Sequence, residues 1–280
     1  MPGPAPDRLT SVAHRAGLFG PDSASWRIDR EVMVLAGGTC ALLMQLAHPA
    51  VAAGVAEHSN FRDDPFARLR RTLSASFDVV FGSAPRAERA LAGINAVHRS
   101  ISGVIPETGA TYNARDPTLL LWVHATLVDT AIRVYHRYVA PLSPGERQRY
   151  HDESRLVARS LGVPAELIPR TLDELRSWMA DRIQCGDVWV TPTARSLATS
   201  VLYPARLPPR FVWDVAHLVS LSVMPPAIRS DFGLPWNARR AAGAERLAGA
   251  TRAVLPLLPA PLRFVPQYRT AVRRAGGRLR

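Results

Sequence analysis

The run DPTLLLWVHATLVDTAIRVYHRYVAP, Asp116 to Pro141, constrains the fold more than any other part of the chain. Asp followed by Pro is a helix start, because the carboxylate accepts from free backbone N–H groups and Pro suits the first helical position. No charge follows until Asp129, and Pro141 ends the segment. The first half of such a helix is apolar all round and has to be enclosed by other elements. His124 sits inside it. A second uncharged stretch, VMVLAGGTCALLMQLAHPAVAAGVA from Val32 to Ala56, is long enough to cross a bilayer. Gln45, His48 and Pro49 near its middle, with many small residues, suit close helix packing inside a protein instead. We read it as protein interior, not as a membrane span.

The remaining pattern is helical. Apolar residues recur at spacings of three and four, with no sustained strand-like alternation and no Asn-Gly hairpin signal. In PRAERALAGINAVHRSIS, Pro85 to Ser102, a stripe joins Ala87, Ala90, Leu91, Ile94, Val97, His98 and Ile101, with Gly103 as a C-terminal stop. Further helices are expected within Leu142 to Gly162 and from Thr171 to Gln184. Beyond Val188 the motifs TP, LYP, LPP, MPP and LPW predict short helices joined by tight turns. With 280 residues, 47% of them hydrophobic, the chain can bury a substantial core. Neither a domain boundary nor an internal repeat interrupts it. The expectation is an all-α, single multi-helix domain over residues 1–280.

Charge narrows the partners. The net charge is +12, and all 35 basic residues are arginine. From Arg206 onward thirteen arginines face only Asp214, Asp231 and Glu245, so +10 of the total lies in the C-terminal part. Such a balance suits an acidic partner, a redox protein among them. The arginines lie among prolines without interleaved aromatics, and no helix-turn-helix, zinc-finger or RNP-type signature occurs, so we do not read nucleic-acid binding. Cys40 and Cys185 form neither a CxxC pair nor a disulfide framework, which points to a reducing compartment. The N-terminus lacks the pattern of a secretory signal, and the expected location is cytoplasmic.

The chemistry has to be sought among eight histidines. His14, His136, His151 and His217 lie in ordinary amphipathic or terminal contexts. His48, His58, His98 and His124 lie in or beside apolar segments, where an imidazole needs a hydrogen-bond partner or a metal to offset desolvation. Paired Glu-x-x-His repeats, HExxH, GxSxG, P-loop and GxGxxG motifs are all absent. What remains is an axial histidine on an apolar helix with a cationic helix nearby. A b-type haem uses such parts: one imidazole for iron, an apolar slot for the ring, arginines for the propionates.

The cationic helix is in HSNFRDDPFARLRRT, His58 to Thr72. Arg68, Arg71 and Thr72 fall at i, i+3 and i+4 on one face, with Ala75 continuing it and Arg70 pointing elsewhere. Two cations and a hydroxyl there can hold carboxylates or dioxygen. The plainer alternative is that Asp63 and Asp64 complement a helix N-terminus while the arginines are solvated.

Taken together, QLAHPAVAAGVAEHSNF, DDPFARLRRT, VVFG, VHRSISG, YNARDPTLLLWVHATLVDT and PPAIRSDFGLPW resemble the mpaB-type oxygenase and rubber oxygenase (latex clearing protein) catalytic-domain family. The resemblance runs from about residue 30 to 257 and leaves a basic extension over 258–280. It implies globin-like helical packing around a buried pocket for non-covalent haem b, and an iron-dependent oxygenase that uses dioxygen on an isoprenoid-like or other small hydrophobic substrate. Carried over by motif, Arg68, Arg71 and Thr72 take the place of that family's arginine, lysine and threonine, and His98 matches the axial histidine. His124 stays open as an alternative ligand or a residue lining the ring. Arg71 departs from the lysine, and a guanidinium has no lone pair to give to iron. Neither the secretion signal of rubber oxygenases nor the anchor of fungal members is present, which points away from an extracellular polymer. The rival readings are a non-catalytic haem or small-molecule-binding helical protein, and a basic docking module for an acidic partner.

Overall fold

The computed structural model describes residues 17–58, 65–202 and 210–277, apart from the side chains of residues 65–69, 210 and 211. In chain order the first helices are α1 (Ala24–Asp29), α2 (Gly38–Leu46) and α3 (Pro49–His58), with a 3-10 segment over Val32–Gly37 before α2. A hairpin of α4 (Pro65–Phe81) and α5 (Ala84–Arg99) follows, then strands β1 (Ser102–Val104) and β2 (Thr111–Asn113). Next come α6 (Pro117–Val134), a single π-helical turn over Tyr135–Val139, α7 (Pro144–Ser160) and α8 (Leu172–Gln184). The rest comprises α9 (Pro192–Leu202), α10 (Arg210–Val223), α11 (Pro226–Asp231), α12 (Ala238–Val254), α13 (Ala260–Arg263) and α14 (Pro266–Arg274). The architecture is one mostly helical domain, as expected.

Helix α6 is the axle of the fold. Asp116 Oδ1 accepts from the backbone N–H of Thr118 at 2.7 Å and Leu119 at 3.4 Å, with Pro117 in the first turn, so the cap forms as the sequence indicates. From Leu119 to Val134 only Val123, Leu127 and Arg133 escape full burial. Around it pack the 3-10 segment, α2, α7, α8 and α10. Trp122 Nε1 donates to the Met44 carbonyl at 3.0 Å, which ties α6 to α2. Gly37 lets the 3-10 segment lie against α6: a Cβ there would stand 2.8 Å from both Thr130 Cγ2 and Val134 Cγ2. The helix does not run to Pro141. It widens into the π turn, and the Ala140 N–H reaches back to the Tyr135 carbonyl at 3.0 Å.

The uncharged Val32–Ala56 stretch folds into three pieces, broken at Ala47 and His48. His48 Nδ1 accepts the Ala50 N–H at 3.3 Å and so helps cap α3. Among the described residues no single helix is long and apolar enough to cross a membrane; Val32–Leu46 and Pro49–His58 reach that length only as a pair bent by 104°.

Two features depart from the sequence reading. The segment after α5 forms a short antiparallel ladder, Ser102 opposite Asn113 and Val104 opposite Thr111. Gly103 lies within it instead of ending the helix, because a Cβ there would sit 2.6 Å from Glu57 Oε2 and 2.9 Å from Tyr112 Oη. Such close backbone approach is the usual reason for glycine in a strand. Secondly, α12 is 17 residues long where short helices were expected, since Asn237 caps it and no proline interrupts it until Pro256.

The C-terminal segment folds back onto the start of the chain. Phe264, Val265, Tyr268, Ala271 and Val272 join Phe19, Trp26, Phe77 and Phe81 in a second apolar cluster. Fully buried Glu31 pairs there with Arg263, Oε1 to Nη2 at 2.8 Å, and Val265 N–H donates to the Arg30 carbonyl at 2.9 Å.

Candidate functional site

The α4–α5 hairpin carries most of the residues singled out by sequence. Gly82 and Ser83 join the two helices, so equal distances from this turn lie at equal heights. At 1.5 Å rise per residue, Arg68 on α4 comes level with Val97 and His98 on α5, and Arg71 and Thr72 lie about one turn nearer the loop. The side chain of Arg68 lies outside the described residues, as do His14, Asp63 and Asp64. Arg71 and Thr72 are exposed.

The stripe on α5 is only half covered. Ala87 and Leu91 are buried near the turn, where the hairpin closes on itself. Farther along, Ile94 and His98 are partly exposed and Val97 is 59% exposed, while Ile101 packs against the small cluster of Ala50, Ala53, Ile105, Tyr112 and Leu119. Asn95 Nδ2 donates to the Ser160 carbonyl at 3.0 Å and fixes this end of α5 to the end of α7. The result is an apolar ledge with an imidazole in it.

His98 has an unusual environment for such a ledge. Its Nδ1 is shut off from solvent and has no hydrogen-bond partner among the described residues. Desolvation alone pushes its pKa below the ordinary histidine value, so the ring stays neutral at pH 7. A buried unpaired nitrogen costs on the order of 1 to 3 kcal/mol, which calls for a compensating ligand or partner.

His124 is enclosed in the main core at 8% exposure, with Nε2 buried and without a hydrogen-bond partner among the described residues. Burial, and secondarily the charge of His151, drives its pKa down to about 4. Asp129, farther along the same helix, is engaged elsewhere. Asp129 is shared by Arg133 at 2.5 Å and Arg176 at 2.7 Å, which hold the carboxylate from two helices. His151, classed by sequence as ordinary, is buried beside α6, its Nε2 within 3.0 Å of the Pro169 carbonyl and its Nδ1 without a hydrogen-bond partner among the described residues. His58 Nε2 lies 3.1 Å from the Ser102 carbonyl and braces α3 against β1. Among the described residues no three His, Cys, Asp or Glu side chains converge as a metal site.

Sequence reasoning missed one polar feature near this face. Tyr112 donates to Glu57 Oε2 at 2.9 Å, and burial, then the carboxylate, raises the phenol to about 12. Only the small ladder, invisible to periodicity at three residues per strand, brings these groups together.

Two relatives, uncharacterized proteins of Mycobacterium tuberculosis and Mycobacterium bovis, are each 27% identical over 222 residues, covering 77% of this chain and 74% of their own. No solved structure matches significantly. The pattern of the catalytic domain of ER-bound oxygenase mpaB/B' and rubber oxygenase matches residues 26–253. That span takes in the α4–α5 hairpin, α6 and nearly all of the core, and the chain belongs to this oxygenase catalytic-domain family.

Proposed function

We propose that the protein is a haem b-dependent oxygenase in which His98 is the protein's ligand to iron and the substrate is small and hydrophobic. The observation that carries this reading is the His98 imidazole, neutral, with a buried Nδ1 that has no partner among the described residues, set in a half-open apolar ledge. A haem would need one such side chain from the protein, because the porphyrin supplies its own nitrogen donors. When bound, it supplies the redox chemistry by which dioxygen attacks an apolar substrate.

The residues of the chain have separate tasks in this reading. His98 offers a lone pair without first losing a proton, since its ring is held neutral. Ile94 and Val97 flank it on the same helix, with Ile101 just beyond the helix end, and these side chains would give the ring an apolar surface to lie on. Arg68 and Arg71 supply fixed positive charge for carboxylates, and Arg71 does so as an ion-pair partner, having no lone pair for iron. Thr72 adds a hydroxyl donor one turn away. His124 suits the part of a core residue better than that of a ligand, because enclosure at 8% exposure leaves no open face for a flat ring. The two unpaired cysteines, one buried and one exposed, suit a reducing compartment, and we place the reaction in the cytoplasm.

Oxygen uptake with a short isoprenoid alkene tests the reading. Protein expressed with haem precursor consumes oxygen in step with loss of alkene, His98→Ala abolishes the uptake, and Arg68→Ala and Thr72→Val reduce it. Full turnover in Arg68→Ala removes the role given to that arginine, and unchanged uptake in His98→Ala overturns the whole assignment.

A further inference from the structure

A polar cavity lies at the far end of α6, where the π turn faces α10 and α12. Its volume is about 320 Å³, within the range of small-ligand sites. Arg133, His136, Arg137, Glu245 and Arg252 line it, with Ser222 in its wall. It shares no residue with the His98 ledge.

The lining is dominated by donors. Arg133 and Arg137 are four apart, a like-charge spacing that disfavours a helix unless something compensates it, and Arg252 adds a third cation from the facing helix. Among the described residues, compensation is incomplete. Asp129 is divided between Arg133 and Arg176, Glu245 pairs with Arg137 Nη2 at 2.8 Å, and Arg137 Nε is buried without a hydrogen-bond partner among those residues. Arg252 Nε donates to the Ala248 carbonyl at 3.3 Å. His136 Nδ1 accepts the Leu142 N–H at 2.8 Å, so the neutral ring carries its proton on Nε2 as a further donor. Ser222 gives its hydroxyl proton to the Val219 carbonyl and accepts from Tyr138, which stiffens the wall without adding an acceptor for the arginines. The positive field is visible at His136, whose pKa is lowered by burial and then by Arg147, Arg176 and Arg252. A widened π turn that gathers such groups is a common device at binding sites.

From this convergence we propose that the cavity formed by the π turn, α10 and α12 binds a small oxyanion, a phosphate or carboxylate group, through the guanidinium groups of Arg137 and Arg252. Planar guanidinium forks match both anions in geometry and charge. The site stands independently of the oxygenase reading.

Isothermal calorimetry of the full chain at low ionic strength tests it, with sodium phosphate, disodium succinate and, at matched ionic strength, sodium chloride as probes. The expected result is saturable one-site binding of phosphate, succinate or both, with chloride inert. Phosphate alone identifies a phosphate-bearing ligand, and succinate alone a carboxylate. The double variant Arg137→Gln/Arg252→Gln weakens binding at least tenfold, whereas Arg159→Gln/Arg239→Gln, which removes the same charge from exposed positions, leaves it unchanged. The single variant Arg252→Lys keeps the charge, loses the fork and weakens binding by a smaller factor. Absence of binding beyond chloride, or equal weakening in both double variants, overturns the proposal.

Discussion

Acidification should expose His124 as a built-in liability of the core. Folded, its imidazole has a pKa of about 4; unfolded, it returns to the ordinary value near 6.5. Above pH 6.5 both states are neutral and the group has no effect on stability. As pH falls from 6.5 toward 4 the unfolded chain takes up a proton that the folded chain refuses, so stability is lost across that window. A gap of roughly 2.5 pH units at about 1.4 kcal/mol each gives a loss on the order of 3 kcal/mol at pH 4. Other groups titrate in the same range. Asp29, raised to about 7 chiefly by burial and further by Glu153, tilts stability the other way, since it keeps its proton in the fold. The readout is therefore the difference between wild type and His124→Leu in urea unfolding from pH 7 to 4.5. Any packing offset in the variant is constant with pH, while the slope due to the imidazole disappears. Wild type should lose about 2 to 3 kcal/mol more than His124→Leu over that interval. Parallel profiles would show that His124 is not a desolvated, unpaired imidazole, and would refute its place as a core residue.

Three further outcomes follow from the packing. Arg263→Ala strands the fully buried Glu31 carboxylate, with Arg30 Nε at 3.7 Å as its remaining cation, and should cost about 3 kcal/mol, read as a drop in thermal midpoint of roughly 6 to 12 °C. Gly37→Ala drives a methyl group into Thr130 and Val134 and should destabilise by about 1 to 3 kcal/mol in denaturant unfolding, with Gly20→Ala, where nothing stands within 4 Å, as the control. Thiol labelling at pH 8 should modify one cysteine per native chain, exposed Cys185. Cys40, buried beside Thr130 and pushed up to about 12 by desolvation, should react only on unfolding.

Much of the fold was legible because long elements advertise themselves through period and punctuation. The Asp116–Pro117 start, the apolar first half of α6 and the break at Pro49 all follow from local chemistry acting over many residues. The β1–β2 ladder was not legible, since three-residue strands carry too little alternation and Gly103 serves a contact with Glu57 from α3, far away in sequence. The candidate site divides in the same way. Period 3.6 placed Arg68, Arg71 and Thr72 on one face and His98 on the α5 stripe, but burial of that stripe was overread, because the stripe meets α4 and little else along its outer half. Nor does the sequence show that Asp129 is held by two arginines, one of them Arg176 from α8, since that pairing joins residues 47 positions apart through charge-assisted bonds. No periodicity announces the π turn either, whose Arg137 joins Arg133 of α6 and Arg252 of α12 around one cavity only when α10 and α12 close over it.

The central claim is that His98 holds a haem, and the visible absorption spectrum of purified protein expressed with haem precursor tests it most directly. Wild type and His124→Ala should show a Soret band, His98→Ala should lose it, and added imidazole should restore it by filling the vacated position. A wild type that remains colourless after haem titration, or a Soret band retained in His98→Ala without imidazole, would contradict the account.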